Sequence, residues 1–263
     1  MAGDFVKYKD FDGKIEDLVS LKLKKIEDKE NVKILHAVES GSRSWGFASP
    51  DSDYDVRFIY VRRKEDYLRL EGKKDFIDWE LDEVLDINGW DVKKALQHFR
   101  KSNATLFEWA NSPIVYYTTD EWKNIMNVAN EYFSCKACLY HYYGTAVSNY
   151  NEHLQKDMVR YKKYFYVLRP ILACKWIEKK QSAPPVLFET LVNEVLEPDM
   201  VKLVNDLKEK KMQMNEYDEA PKISAINDYL EKQISHFKQL ADTMKDDRNP
   251  DWERLDHLFM ELL

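Results

Sequence analysis

Glycine and proline are scarce in this chain, with 7 and 8 among 263 residues. Such a sequence lacks the punctuation of a loop-rich all-β protein and favours long helices. Cysteine is scarcer still, at three residues, Cys135, Cys138 and Cys174. An odd number and no disulfide framework suit a reducing cytoplasm. Cys135 and Cys138 form a CxxC, but no second CxxC or histidine pair at zinc spacing accompanies it. The pair falls in a helical pattern and reads as buried small hydrophobes. No run approaches the ~18 apolar residues of a membrane span. The first ten residues contain no apolar core of a signal peptide. Positive charge is also in deficit: 40 Lys and Arg against 47 Asp and Glu give a net charge of −7. This is not the balance of a generic polyanion binder, although a local basic groove remains compatible with it.

What the chain does have is a core. Hydrophobic residues make up 44% and charged residues 33% of a length sufficient for one large domain or two small ones. Residues 12–29 carry apolar side chains at helical spacing, with Asp12 as the expected N-cap. Residues 32–38 form a short apolar run, read as a buried strand. Residues 39–50 hold Gly, Ser and Pro and predict a loop with room for a short helical turn. Residues 54–61 alternate and are rich in β-formers, a second strand. Short strands follow at 75–79 and 83–87, and Gly89 is expected to break the run. Helices are predicted at 92–100 and 103–110.

After Thr119, a natural N-cap followed by Asp120 and Glu121, the patterns are almost entirely helical. Pro170 is expected to kink its helix or start a new one, and Pro184-Pro185 marks a break. Polar amphipathic helices are predicted at 199–216 and 222–246. The fold class is therefore α+β: a small mixed β-sheet domain over 1–118, then a helical domain over 119–263.

The chemistry concentrates between Glu39 and Val56, in ESGSRSWGFASPDSDYDV. Residues two apart on a strand face the same way, so Asp53 and Asp55 aim at one site. Two adjacent carboxylates repel unless a cation lies between them, and Mg²⁺ is the natural guest for oxygen ligands beside substrate phosphates. A third carboxylate from a neighbouring strand would complete a two-metal site. Asp86, between Leu85 and Ile87, fits best; Asp78, Glu80 and Asp82 are weaker candidates. Upstream, Gly41 permits a sharp turn whose N–H groups, with the Ser42 hydroxyl, can grip a phosphate. The plainer alternative is that DSDYD is an ordinary solvated turn, but that leaves unexplained why the aspartates run into a strand.

Gly41-Ser42, then Asp53-x-Asp55 and a later strand aspartate, resemble the DNA polymerase β-type nucleotidyltransferase superfamily. The longer phrases ESGSRSWGFASPDSDYDVRFIYV, LDINGWDVKKAL, KSNATLFEWANSPIVY and KYFYVLRPILACKWI resemble the narrower RlaP-like family of predicted RNA-repair nucleotidyltransferases. These matches run from about residue 34 to 180. The resemblance implies a mixed-sheet palm with a helical C-terminal part. It implies transfer of a nucleoside monophosphate from an NTP, with pyrophosphate released. It also implies that Gly41 and Ser42 bind the triphosphate while Asp53, Asp55 and Asp86 hold two Mg²⁺ ions. The acceptor would be RNA or tRNA.

Other residues carry weaker signals. Residues 156–180 contain eight Lys or Arg and two acids, a local +6. Lys162, Tyr166 and Arg169 fall on one helical stripe, either a phosphate-binding face or a solvated basic face. Eight of the 16 tyrosines lie between residues 131 and 166, where stacking on bases competes with helix packing. Arg43 and Arg57 lie close enough to the aspartates to contact phosphate or to form a structural ion pair. Two other functions share these residues: nucleotidylation of a small molecule or a protein hydroxyl, and a non-catalytic, antitoxin-like binding module.

Overall fold

The computed structural model describes residues 7–49, 52–79, 84–213 and 218–263. It is an α+β protein whose chain divides into two compact units. The first comprises Met1–Lys101, Thr105–Tyr132 and Pro250–Leu263; the second comprises Ser102–Ala104 and Phe133–Asn249.

The first unit begins with helix α1 (Ile15–Glu30), strand β1 (Val32–Glu39), the one-turn helix α2 (Gly41–Ser44) and strand β2 (Tyr54–Arg62). Helix α3 (Lys64–Tyr67), strands β3 (Phe76–Trp79) and β4 (Leu85–Asp91), and helix α4 (Val92–Arg100) follow. Helix α5 (Ala104–Ala110), strand β5 (Val115–Thr118) and helix α6 (Asp120–Ala129) come next. The five strands form one mixed sheet in the order β3-β4-β2-β1-β5. Only β2 and β4 run parallel; the other neighbours are antiparallel.

The parallel pair decides where the site falls. Its register sets Asp55 beside Asp86 and Phe58 beside Gly89. β2 is half-exposed over Tyr54, Asp55 and Arg57 and buried from Phe58 onward. One end of the sheet is therefore core, and the other is open to solvent. Leu18, Val19, Leu23 and Ile26 of α1 pack with Ile34, Val56, Phe58, Tyr60 and Ile87 of the sheet. Each such side chain contributes about 1.5–3 kcal/mol by leaving water.

Several elements depart from the sequence-based expectation for identifiable reasons. Asp12 does not cap α1: the helix starts at Ile15, after Lys14, with no side-chain cap. Strand β4 does not stop before Gly89 but passes through it to Asp91. A Cβ at Gly89 would lie 2.2 Å from the Phe58 ring, so glycine serves a close approach here rather than a break. Thr119 caps α6 as expected, its hydroxyl accepting from the Trp122 N–H at 3.2 Å. Asp91 caps α4 in the same way, accepting from the Lys93 N–H at 2.8 Å.

The second unit is built of α7 (Cys135–His153), α8 (Tyr161–Lys180), α9 (Phe188–Val195), α10 (Pro198–Gln213) and α11 (Ser224–Thr243). A two-residue strand pair, β6 (Met158–Val159) and β7 (Ala220–Pro221), also lies in it. The last helix, α12 (Glu253–Glu261), belongs to the first unit. Pro170 starts no new helix: α8 runs continuously through it. The cost of the missing N–H is met by burial, since Val167 through Lys175 are all buried. All three cysteines are buried free thiols. Among the described residues no helix is long and apolar enough to cross a membrane.

Gly89→Ala is expected to destabilise the protein by about 1–3 kcal/mol, because the added methyl overpacks the Phe58 ring. Urea denaturation followed by tryptophan fluorescence measures this; an unchanged midpoint would contradict the packing.

Candidate active site

The open end of the sheet is organised around one peptide, that of Asp55. Its N–H donates to Oε1 of Glu39 at 2.7 Å, and its carbonyl accepts from the Ser40 N–H at 2.8 Å. The end of β1 and the residue after it thus engage both main-chain polar groups of Asp55 at the start of β2. Glu39 itself is fully buried. Its second carboxylate oxygen accepts from the Tyr116 hydroxyl at 2.5 Å, and its carbonyl accepts from Ser112 Oγ at 2.6 Å. Burial pushes the Glu39 carboxyl above its ordinary range, against the pull of the Tyr116 and Asp55 hydrogen bonds.

One residue beyond Ser40 the chain turns sharply. Gly41 has φ +62, a left-handed conformation that side chains resist. A Cβ there would also fall 2.2 Å from Oδ2 of Asp55. Glycine is required twice over, by the backbone angle and by the carboxylate pressed against the turn. The N–H groups of Gly41 and Ser42 begin a helical turn and have no acceptor among the described residues, nor has the Ser42 hydroxyl a partner.

The Asp55 carboxyl is raised by burial first, with the Arg57 guanidinium opposing and the charges of Asp86 and Asp53 adding to the rise. Arg57 spans the two strand aspartates: Nη2 donates to Asp55 Oδ1 at 3.1 Å and to Asp86 Oδ2 at 2.7 Å. Its Nη1 reaches the carbonyls of Val56 and Asp86. Of the two expectations for Arg57, the structure contains the ion pair. Asp53 lies one residue before β2, with its side chain exposed. Arg43 braces that segment, donating from Nε to the Asp53 carbonyl at 3.1 Å and from Nη2 to the Ser52 carbonyl at 2.5 Å. Its guanidinium stacks 3.7 Å over the Tyr54 ring.

Gly41, Ser42, Asp55, Arg57 and Asp86 thus come together, with Asp53 and Arg43 on the adjoining segment. Among the described residues, no group of three or more Asp, Glu, His or Cys is gathered closely enough to hold a metal ion. The two carboxylates that do converge share the Arg57 guanidinium. Asp78 contacts Asn88 on the exposed side of β3 and β4. Glu80 and Asp82 lie outside the described residues. Lys162, Tyr166 and Arg169 lie on α8 of the second unit, where Arg169 is buried and donates from Nε to the Val186 carbonyl at 3.3 Å. Glu39 and Tyr116 were not singled out from sequence. The available signal was an acid closing an apolar strand directly before the Gly-Ser turn.

A Gly-Ser turn beside paired strand aspartates on a mixed sheet defines the site type of nucleotidyltransferases. The chain belongs to the RlaP family, described as the RNA repair pathway DNA polymerase beta family, which matches residues 15–261. It is 44% identical over 242 residues to the "Uncharacterized protein YcgL" of Bacillus subtilis (strain 168), covering 90% of this chain and 92% of that one. A solved structure of a nucleotidyltransferase-like protein from Exiguobacterium sibiricum 255-15 aligns over 88% of this chain and 75% of its own, at 10% identity. Its TM-score is 0.31, a likeness too loose to bear on mechanism.

The raised Glu39 carboxyl has a consequence for stability. The native state keeps this proton at a pH where the unfolded chain, ionising near its ordinary value of about 4.3, has lost it. The stabilisation from Glu39 is present below that value and is lost as pH rises through the raised native value. Glu39→Gln carries no such proton. The stability of the wild type relative to this variant is expected to fall as pH rises from about 4.3. Denaturant titrations across that range test it, and a constant difference would contradict it.

Proposed function

We propose that this protein transfers a nucleoside monophosphate from an NTP to an acceptor hydroxyl, releasing pyrophosphate. The observation that carries the reading is the convergence of Asp55 and Asp86, on adjacent parallel strands, beside a glycine turn with unpartnered N–H groups. The family description, RNA repair, favours an RNA or tRNA hydroxyl as acceptor.

Each residue then has a task. The N–H groups of Gly41 and Ser42, with the Ser42 hydroxyl, bind oxygens of the triphosphate. Glu39 fixes the Asp55 backbone so that its carboxylate keeps its place against the turn. Asp53, Asp55 and Asp86 would hold magnesium; they form an all-oxygen donor set, and Asp55 feels both of the other charges. Bound there, the metal would supply charge neutralisation for the phosphates and a more acidic acceptor hydroxyl. The Asp86 carboxylate would receive the hydroxyl's proton. Arg57 now occupies the space between the aspartates as a monocation. On release from that bridge, its guanidinium is free to meet a phosphate oxygen. Lys162 and Tyr166, half-buried on α8, are the residues of the helical unit assigned to nucleotide or acceptor contact.

Incubation with labelled NTPs, Mg²⁺ and total RNA is expected to place label in RNA. Label in a small molecule or a protein would move the acceptor, and no label with any NTP would overturn the reading. Asp55→Asn and Asp86→Asn are each expected to reduce transfer on the order of 10²–10³-fold. Lys162→Ala is expected to raise the NTP KM with little change in kcat; unchanged kinetics would remove α8 from the site.

A further inference from the structure

Arg62 closes β2 at the end opposite the aspartates. It lies seven residues from Asp55, about 23 Å along the strand at about 3.3 Å per residue. Its side chain is only 6% exposed, yet the guanidinium is poorly partnered. Nε makes no hydrogen bond. Nη2 reaches the Tyr60 hydroxyl and the Lys74 carbonyl only at 3.4 Å each. The nearest acid, Asp91, stands 3.9 Å from Nε, and its oxygens are already engaged. The Tyr67 hydroxyl contacts both at 3.0 Å, and the Lys93 N–H donates to one at 2.8 Å. Asp91 and the Tyr60 ring, 5.1 Å from the guanidinium, answer its charge, but the buried Nε donor stays without an acceptor, which is unfavourable until one is supplied.

Arg62 lines a cavity of about 260 Å³ between the segment after α3 and the start of α4. Four more cations line it: Arg69, Lys73, Lys93 and Lys94. Three acids also line it, so the walls carry five positive and three negative charges, a net of +2, in a protein of net charge −7. Two of the acids are spent on local pairs. Asp66 is bonded to Lys73 at 2.9 Å, and Asp75 to Lys94 at 3.1 Å. Asp91 is held by Tyr67 and the α4 cap. Arg69 and Lys93 are exposed at the rim, without a carboxylate partner among the described residues.

We propose that this cavity is a phosphate-binding site remote from the nucleotidyl-transfer site. A phosphate group entering it meets the spare Arg62 donors at its base and the Arg69 and Lys93 charges at its mouth. The planar guanidinium donates in the fork geometry that phosphate oxygens accept. The volume suits a phosphate or pyrophosphate, or one backbone phosphate of a nucleic acid strand. The proposal does not depend on the reaction assigned to Asp55, because none of its residues contacts that site in the structure.

The test is a titration of the full-length protein without divalent cation, followed by NMR of the amides of residues 66–75 and 91–97. Pyrophosphate is one ligand and a short single-stranded RNA the other. Saturable shifts confined to these segments are expected with at least one of them. Saturation by pyrophosphate identifies a free polyphosphate as the source, and saturation by RNA alone identifies a strand phosphate. The double variant Arg69→Glu with Lys93→Glu changes only exposed positions and should keep its spectrum elsewhere. It is expected to weaken binding by about tenfold or more. Arg62→Met should do the same, read beside its thermal unfolding. No saturable shift with either ligand, or equal affinity in the charge-reversal variant, would overturn the proposal.

Discussion

The structure at the open end of the sheet depends on how the Asp55 peptide is gripped. Glu39 takes its N–H and Ser40 gives its carbonyl a donor, so the last residue of β1 and the one after it hold both polar groups of one residue of β2. The grip fixes where the Asp55 carboxylate lies, and that position leaves no room for any side chain at residue 41. The left-handed turn, the short helix after it and the unpartnered N–H groups at its start then follow. Tyr116 on β5 completes the arrangement from the other flank by bonding the remaining Glu39 oxygen. A carboxylate buried this deeply is costly, and its two hydrogen-bond donors, the Asp55 N–H and the Tyr116 hydroxyl, offset part of that cost.

Much of this was legible in the sequence because local rules act locally. Thr119 followed by two acids marked the start of α6, and the apolar run after Asn31 marked β1. The Gly-Ser pair and the spaced aspartates drew attention to the end of the sheet where Asp55 and Asp86 lie side by side. Less legible were features set by partners distant in sequence. Gly89 looks like a terminator until Phe58, 31 positions earlier, is seen packing against it. Pro170 looks like a breaker, yet its helix is enclosed on nearly every side. Glu39 was read as the start of a loop, because nothing nearby announces that Tyr116 will meet its carboxylate. The strand pair β6 and β7 joins residues about 60 apart and is too short to leave a pattern.

The arginines show the same division. Spacing put Arg43 and Arg57 near the aspartates but left their roles open. In the fold they do different work. Arg43 ties down the backbone before β2 while lying flat on Tyr54, so it shapes the approach to the site. Arg57 bridges the two strand carboxylates and offsets part of their mutual repulsion. A third arginine, Arg62 at the far end of the strand that carries Arg57, pairs with Asp91 only at 3.9 Å and leaves its Nε without a hydrogen bond.

The three thiols lie wholly in the second unit, and the first has none. Cys174 is completely enclosed, its ionisation suppressed by burial and by the nearby Glu178, while Cys135 sits at the first turn of α7. A soluble alkylating reagent can therefore reach Cys138 and Cys174 only when the packing around them opens. Its rate of reaction becomes a clock for the opening of that unit alone, with the sheet domain contributing no background.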